Sequence, residues 1–133
     1  MATLTDVCRS MVEGVYGGLA SAVVDVHTGM LLGVYHLVPH FTPEYLEAVA
    51  AASVEMFRGR TVKRVEELLG RQRGAPLQES FEEIFISSVV VFHFMKLIRD
   101  KQVLAVLVTR KDANQGLGFA MLRNQVPDIL ALL

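Results

Sequence analysis

The sequence predicts a single α/β domain over residues 1–133, with elements running helix, two strands, long helix, three strands, helix. Three observations carry that order. Leu4, Val7, Cys8, Met11, Val12 and Val15 recur at three- and four-residue steps, the stripe of an amphipathic helix. Two apolar runs, 19–26 and 30–37, flank His27-Thr28-Gly29, where glycine is free to take positive φ, and so read as a hairpin. From Phe81 to Ile98 the chain is largely β-branched or aromatic and holds no glycine.

Each element has its own signal. The first helix opens at Thr3-Leu4-Thr5-Asp6, which has capping-box spacing, and ends at Gly17-Gly18. The hairpin strands follow, Leu19 to Val26 and Met30 to Leu37. Phe41-Thr42-Pro43-Glu44 starts the second helix: Thr42 caps, Pro43 suits the first helical position, Glu44 meets the positive helix end, and Phe41 staples onto Leu46. That helix is expected to reach Leu69 and stop at Gly70, with Gly59 weakening its middle. Arg71 to Pro76 reads as a polar loop. A single strand from Ile84 to Ile98 would be roughly 50 Å long, against a radius of gyration of about 14 Å for a domain of this size. The run must therefore fold back, and its least apolar point, Ser87-Ser88, takes the turn. Arg99-Asp100-Lys101-Gln102 is another turn, Val103 to Thr109 the last strand, and Leu117 onward the final helix, which Pro127 either kinks or closes with a short terminal turn.

Composition narrows the class. At 52% hydrophobic and 20% charged the chain is on the apolar side for a soluble domain, and surplus apolar surface points to a subunit interface. A net charge of −1 leaves no global footprint for nucleic acid or an anionic membrane. One cysteine, Cys8, allows no intramolecular disulfide and fits a reducing compartment. The N-terminal segment does not read as a signal peptide. The most apolar stretch, Ile84 to Ile98, includes His93 and Lys96 and falls short of the roughly 20 apolar residues a spanning helix needs. The expectation is a cytoplasmic protein.

Asn114-Gln115-Gly116-Leu117-Gly118 raises the question of a phosphate cradle. A dinucleotide fingerprint needs a third glycine where Met121 stands, and it belongs to the first strand–helix junction of a parallel unit, not the last. The Walker Gly-Lys-Ser/Thr is absent. Asn114 as an N-cap, with glycines letting the first turn approach the sheet, explains the segment better.

Ala113-Asn114, then Gly116-Leu117, after a strand and before an apolar helix with an arginine, resembles the roadblock family of dynein light-chain and bacterial GTPase-regulator type. Ala20-Ser21-Ala22-Val23-Val24-Asp25 leading to Gly29 looks like that family's first strand pair. The family commonly turns between its third and fourth strands on glycine or aspartate, where this chain has Ser87-Ser88-Val89. The resemblance implies a five-stranded, mostly antiparallel sheet with helices on both faces, in profilin-like layering. It also implies a homodimer made by pairing third strands and second helices. Such proteins have no active site and regulate or scaffold small GTPases and other assemblies.

The residues offer matching candidates. Ala48, Ala51, Ala52 and Glu55 give the second helix a small face suited to a symmetric helix contact. A third strand beginning Phe81-Glu82-Glu83-Ile84-Phe85-Ile86 would be an exposed edge in a monomer, so Phe81, Glu83 and Phe85 join the expected dimer interface. Arg58, Arg60, Lys63 and Arg64 form a basic cluster that is either a solvated face or a contact for an acidic partner such as a GTPase. His36 and His40 have zinc-like spacing, but Pro39 forbids a helix there and no second ligand pair is nearby. His27 beside Asp25 has no serine or cysteine nucleophile placed with it. No catalytic, metal or cofactor residue is assigned. The alternative reading is a small-molecule sensor domain of PAS-like or profilin-like architecture, its cavity lined by Phe92, Phe94 and the methionines.

Overall fold

The computed structural model describes residues 1–133. Helix α1 (Leu4–Gly14) is followed by β1 (Gly18–Asp25) and β2 (Leu31–His36), then α2 (Pro43–Arg58) and α3 (Arg60–Arg73). The remainder is β3 (Glu83–Ser87), β4 (Val91–Ile98), β5 (Val103–Arg110) and α4 (Gln115–Ala131). The five strands form one sheet in the order β2-β1-β5-β4-β3, and every neighbouring pair is antiparallel.

The local signals work where expected. Thr3 and Asp6 close a reciprocal capping box on α1, and Thr42 caps α2 by accepting from the Tyr45 amide. Gly29 takes φ 73° in the β1–β2 turn, where a side chain would strain the backbone. The Asp25 carboxylate finishes that turn, accepting from the Thr28 hydroxyl at 2.8 Å and the His27 amide at 3.1 Å, and these bonds, the hydroxyl's first, hold its pKa below the ordinary value. The fold-back sits at Ser88: its hydroxyl accepts from the Val91 amide and donates to the Val91 carbonyl. An ST-type turn thus reverses the chain here without glycine or aspartate.

The long helix is the main departure from expectation. It does not run unbroken to Leu69. Gly59 adopts an extended conformation (φ −63°, ψ 165°), its amide donating to the Glu55 carbonyl as the end of α2 and its carbonyl accepting from the Lys63 amide as the start of α3. Gly70 lies inside α3, and the stop is Gly74 in the left-handed region at φ 73°. The third strand starts at Glu83, not Phe81. Helix α4 continues through Pro127 to Ala131.

Two apolar layers sandwich the sheet. On one face, α1 and α4 pack Val7, Cys8, Met11, Leu122 and Ile129 onto Phe92, Phe94 and Leu107. On the other, α2 packs Ala50 and Phe57 toward Val24, Met95, Leu104 and Val106. Strand β5 is buried from Val103 to Thr109 because both faces are covered and it has a strand on either side. The Ser21 hydroxyl, buried here, donates to the Val106 carbonyl at 2.8 Å, so a polar group inside the layer is satisfied. No helix is long and apolar enough to cross a membrane.

Candidate interaction surface

The packing of α2 decides what remains free. Its inward stripe is Ala50, Ser53 and Phe57, all buried. Ser53 satisfies its hydroxyl on the Val49 carbonyl at 2.8 Å. A helix can present only one stripe to a sheet, so Ala48, Ala51, Ala52 and Glu55 lie on the exposed side. Helix α2 reaches across β1, β2 and β5, and leaves Ile84, Ile86 and Val91 of the β3–β4 hairpin only half-buried on the same side of the sheet. Strand β3 is also the end of the sheet, with one row of backbone groups unpaired. An exposed helix face of small residues and a half-covered apolar strip therefore share one side of a sheet that ends in an open strand edge.

The other face of β3 is tied down within the chain. Glu83 receives Arg123 of α4 through two bonds of 2.8 and 2.7 Å, and Lys96 of β4 at 3.5 Å. The bond from Arg123 holds the Glu83 carboxyl below its ordinary pKa, with the Lys96 and Arg123 charges adding to it. Phe85 packs against Phe92, Phe94 and Phe119 at ring separations of 5.1, 5.2 and 6.3 Å. Phe81 lies before the strand and packs on the α2 side instead. Of the three strand residues singled out from the sequence, the structure gives Glu83 and Phe85 one face and Phe81 the other. Ile84 and Ile86, on the α2 side of the strand, carry no signal in the sequence, because apolar residues on both faces leave no alternation to read.

The basic cluster is split by the helix break. Arg58, before Gly59, reaches His27 Nδ1 at 3.4 Å and Gln102 Oε1 at 3.5 Å. Arg60 and Arg64 are exposed on the outside of α3, where Arg64 pairs with Glu67 at 3.2 Å. Lys63 makes no ion pair.

Other candidates fall into structural roles. His36 and His40 each lie against Phe41, with ring centroids 5.9 and 5.3 Å away. Cys8 is fully buried under α1, and loss of water pushes its thiol pKa up to about 11. Asn114 caps α4, accepting from the Leu117 amide at 3.0 Å. Gly118 provides the close approach: a Cβ there would lie 2.6 Å from Phe94 ring carbons.

No family model matches the sequence, and no curated protein matches it. Solved structures do. The roadblock/LC7 domain from Streptomyces avermitilis superposes with a TM-score of 0.68 at 11% identity, covering 97% of this chain and 99% of that one. MglB of Myxococcus xanthus gives 0.69 at 14% identity, over 98% and 96% of the two chains.

The chain has the roadblock/LC7 fold.

A third roadblock-fold neighbour, MglC from Myxococcus xanthus, gives a TM-score of 0.59 at 19% identity, with 96% of each chain covered. At identities this low the likeness is one of fold, with few residues held in common. Within this roadblock fold, the aromatic side of the sheet is filled: Phe92 and Phe94 join Phe85 and Phe119 in one packed cluster. The space between α2 and the sheet is a cavity of about 30 Å³ bordered by Ala22, Val34, Val49 and His93. That is room for one water and far below the several hundred Å³ of a typical metabolite site.

Proposed function

We propose that this chain is a non-enzymatic regulatory or scaffold protein that works as a homodimer and presents its two-fold surface to a small Ras-like GTPase. One observation carries the reading. The exposed small face of α2 (Ala48, Ala51, Ala52, Glu55) and the half-covered strip Ile84, Ile86, Val91 lie on one side of a sheet whose β3 edge is open. A second copy related by a two-fold axis would lay its own α2 over that strip and pair β3 with β3, removing the edge and burying the surplus apolar surface together. The likeness to roadblock-fold proteins along nearly the whole chain supports it, as does one such neighbour, an MglB with a tetrameric arrangement. Arg60 and Arg64 of each subunit would be the positive groups facing an acidic partner.

The test is solution mass by light scattering over a range of concentrations. The expected value is twice the 14.7 kDa chain mass, persisting into the micromolar range. Ala51→Arg, which places a bulky charge in the α2 contact, should give a folded monomer. Binding of candidate Ras-like GTPases to the dimer should weaken about tenfold or more on combining Arg60→Glu with Arg64→Glu, since like charges then oppose each other. A wild-type monomer at all concentrations would remove the two-fold surface and the proposal with it.

A further inference from the structure

Helix α3 is packed inside out. Its apolar residues Val65, Leu68 and Leu69 are about 40% exposed, while the residues it buries are Glu66 and Gly70. The residues at i, i+3, i+4, i+7 and i+8 spacing that line the space beside the helix are Lys63, Glu66, Glu67, Gly70 and Arg71, of which Glu66 and Gly70 are buried and the other three exposed. An inward stripe is ordinarily apolar because it meets a core. Here it meets a crevice of about 740 Å³, with Phe57 also lining it, between α3 and the segment that follows Gly74.

The far wall of this crevice is pinned in place. The Ala75 amide donates to the Gly70 carbonyl at 3.1 Å. A Cβ on Gly70 would come within 3.0 Å of the Ala75 carbonyl oxygen, so the absence of a side chain allows this approach. At the other end Ser80 clips onto Glu66, its amide and hydroxyl both donating to Oε2 at 2.6 Å. Glu79 is anchored in turn: Arg99 Nε donates to its carbonyl at 3.0 Å, and Gln102 Nε2 to its carboxylate at 3.1 Å. Both Glu79 and Gln102 hold positive φ, at 50° and 53°. Between these pins, residues 75–79 line the crevice opposite the helix.

The charges around it are unevenly used. Glu67 is taken by Arg64 and Arg71. Glu66 is only 5% exposed, has no cationic partner, and makes no hydrogen bond through its second oxygen. Glu79 likewise has no ion pair. On the positive side, Arg58 and Lys63 line the crevice without meeting any carboxylate. Two acids and two bases therefore border one partly enclosed space, each sign lacking its counterpart. Ser80 satisfies one oxygen of Glu66, and the other is left open without a counter-charge, so a ligand bringing that charge gains a charge-assisted contact. A lone anion would leave Glu66 unpaired, and a lone cation would leave Arg58 and Lys63 unpaired.

We infer that the crevice under α3 is a binding site for a small zwitterion, an ammonium group seated on Glu66 and Glu79 with a carboxylate on Arg58 and Lys63. The volume lies within the roughly 300–1,000 Å³ of small-ligand sites. A free amino acid and the terminal residues of a short peptide both supply this chemistry. The site is independent of the two-fold surface proposed above.

The experiment is a nitrogen–proton correlation NMR titration of the labelled full chain with glycine and with triglycine. N-acetyltriglycine, an anion only, and triglycinamide, a cation only, serve as controls. At least one zwitterion should shift the amides of Lys63, Glu66, Gly70 and Gly74 along a saturable curve, and the tighter of the two identifies the source. The single-charge forms should bind about tenfold or more weakly, since each lacks one charge-assisted contact. Glu66→Gln should weaken binding similarly, and so should Lys63→Met, which removes a side chain holding no ion pair. Lack of saturable shifts with either zwitterion overturns the inference. Equal binding of a single-charge form, or undiminished binding by Lys63→Met, overturns it as well.

Discussion

Gly118→Ala sets two known effects against each other in one methyl group. Glycine within a helix is about 1 kcal/mol less favourable than alanine, so helix propensity alone predicts stabilisation. The new Cβ, however, would lie 2.6 Å from both Cε1 and Cζ of Phe94. Carbon atoms rest comfortably at about 3.5–4.0 Å, so something must move by about 1 Å. The ring has nowhere to go: Phe94 is fully buried, with Phe119 at 5.1 Å edge-on and Phe85 at 5.2 Å. Overpacking of this kind costs about 1–3 kcal/mol, and contact with two ring atoms places this case in the upper part of that range. The net expectation is a loss of about 1–2 kcal/mol, a fall in Tm of about 3–8 °C for a domain of this length. Thermal and urea unfolding by circular dichroism read it directly, at fixed protein concentration because self-association would add to apparent stability. Phe94→Leu supplies the control, since removing the ring edge should convert Gly118→Ala from destabilising to neutral or favourable. A native-background Gly118→Ala variant as stable as wild type, or more so, would refute the close-approach argument.

Acid stability should depend on Glu83. Its folded pKa is depressed, chiefly by Arg123, so its contribution is present above its ordinary value of 4.5 and is lost as pH falls through the lower folded value. Glu83→Gln should therefore flatten the acid limb of a Tm–pH profile while leaving the helical signal intact. His93 acts at a milder pH. Burial lowers its folded pKa below 6.5, so the unfolded chain takes up the proton first and stability declines as pH drops below about 6.5. His93→Gln should remove that slope in denaturant titrations between pH 7 and 5. Cys8, with its thiol raised to about 11 by burial, should resist disulfide-exchange reagents at pH 8 in the folded protein and react promptly in urea. Asn114→Ala removes the cap on α4 and should cost about 1 kcal/mol in the same unfolding assays.

Much of the fold is written in short-range chemistry. The Thr3–Asp6 box, the Thr42-Pro43 start, the Gly29 turn and the Asn114 cap depend on residues within a few positions of one another, so sequence spacing alone specifies them. The fold-back near Ser87-Ser88 was legible for a different reason, since an unbroken strand would outrun the domain. What sequence could not decide depended on contacts between distant segments. Gly59 reads in the sequence as weakening a long helix; the structure makes it a full break, with α3 starting as a separate helix. Apolar periodicity is blind to which stripe meets the sheet, so it could not show that α3 turns Glu66 inward and Leu68 and Leu69 outward. Nor could it divide Arg58 and Lys63, at the crevice, from Arg60 and Arg64 on the outer face. The order of strands likewise comes from tertiary pairing, and only that order makes β3 an edge. Local propensity thus determined which elements form, while the competition among them for one buried layer decided which surfaces were left over to do anything.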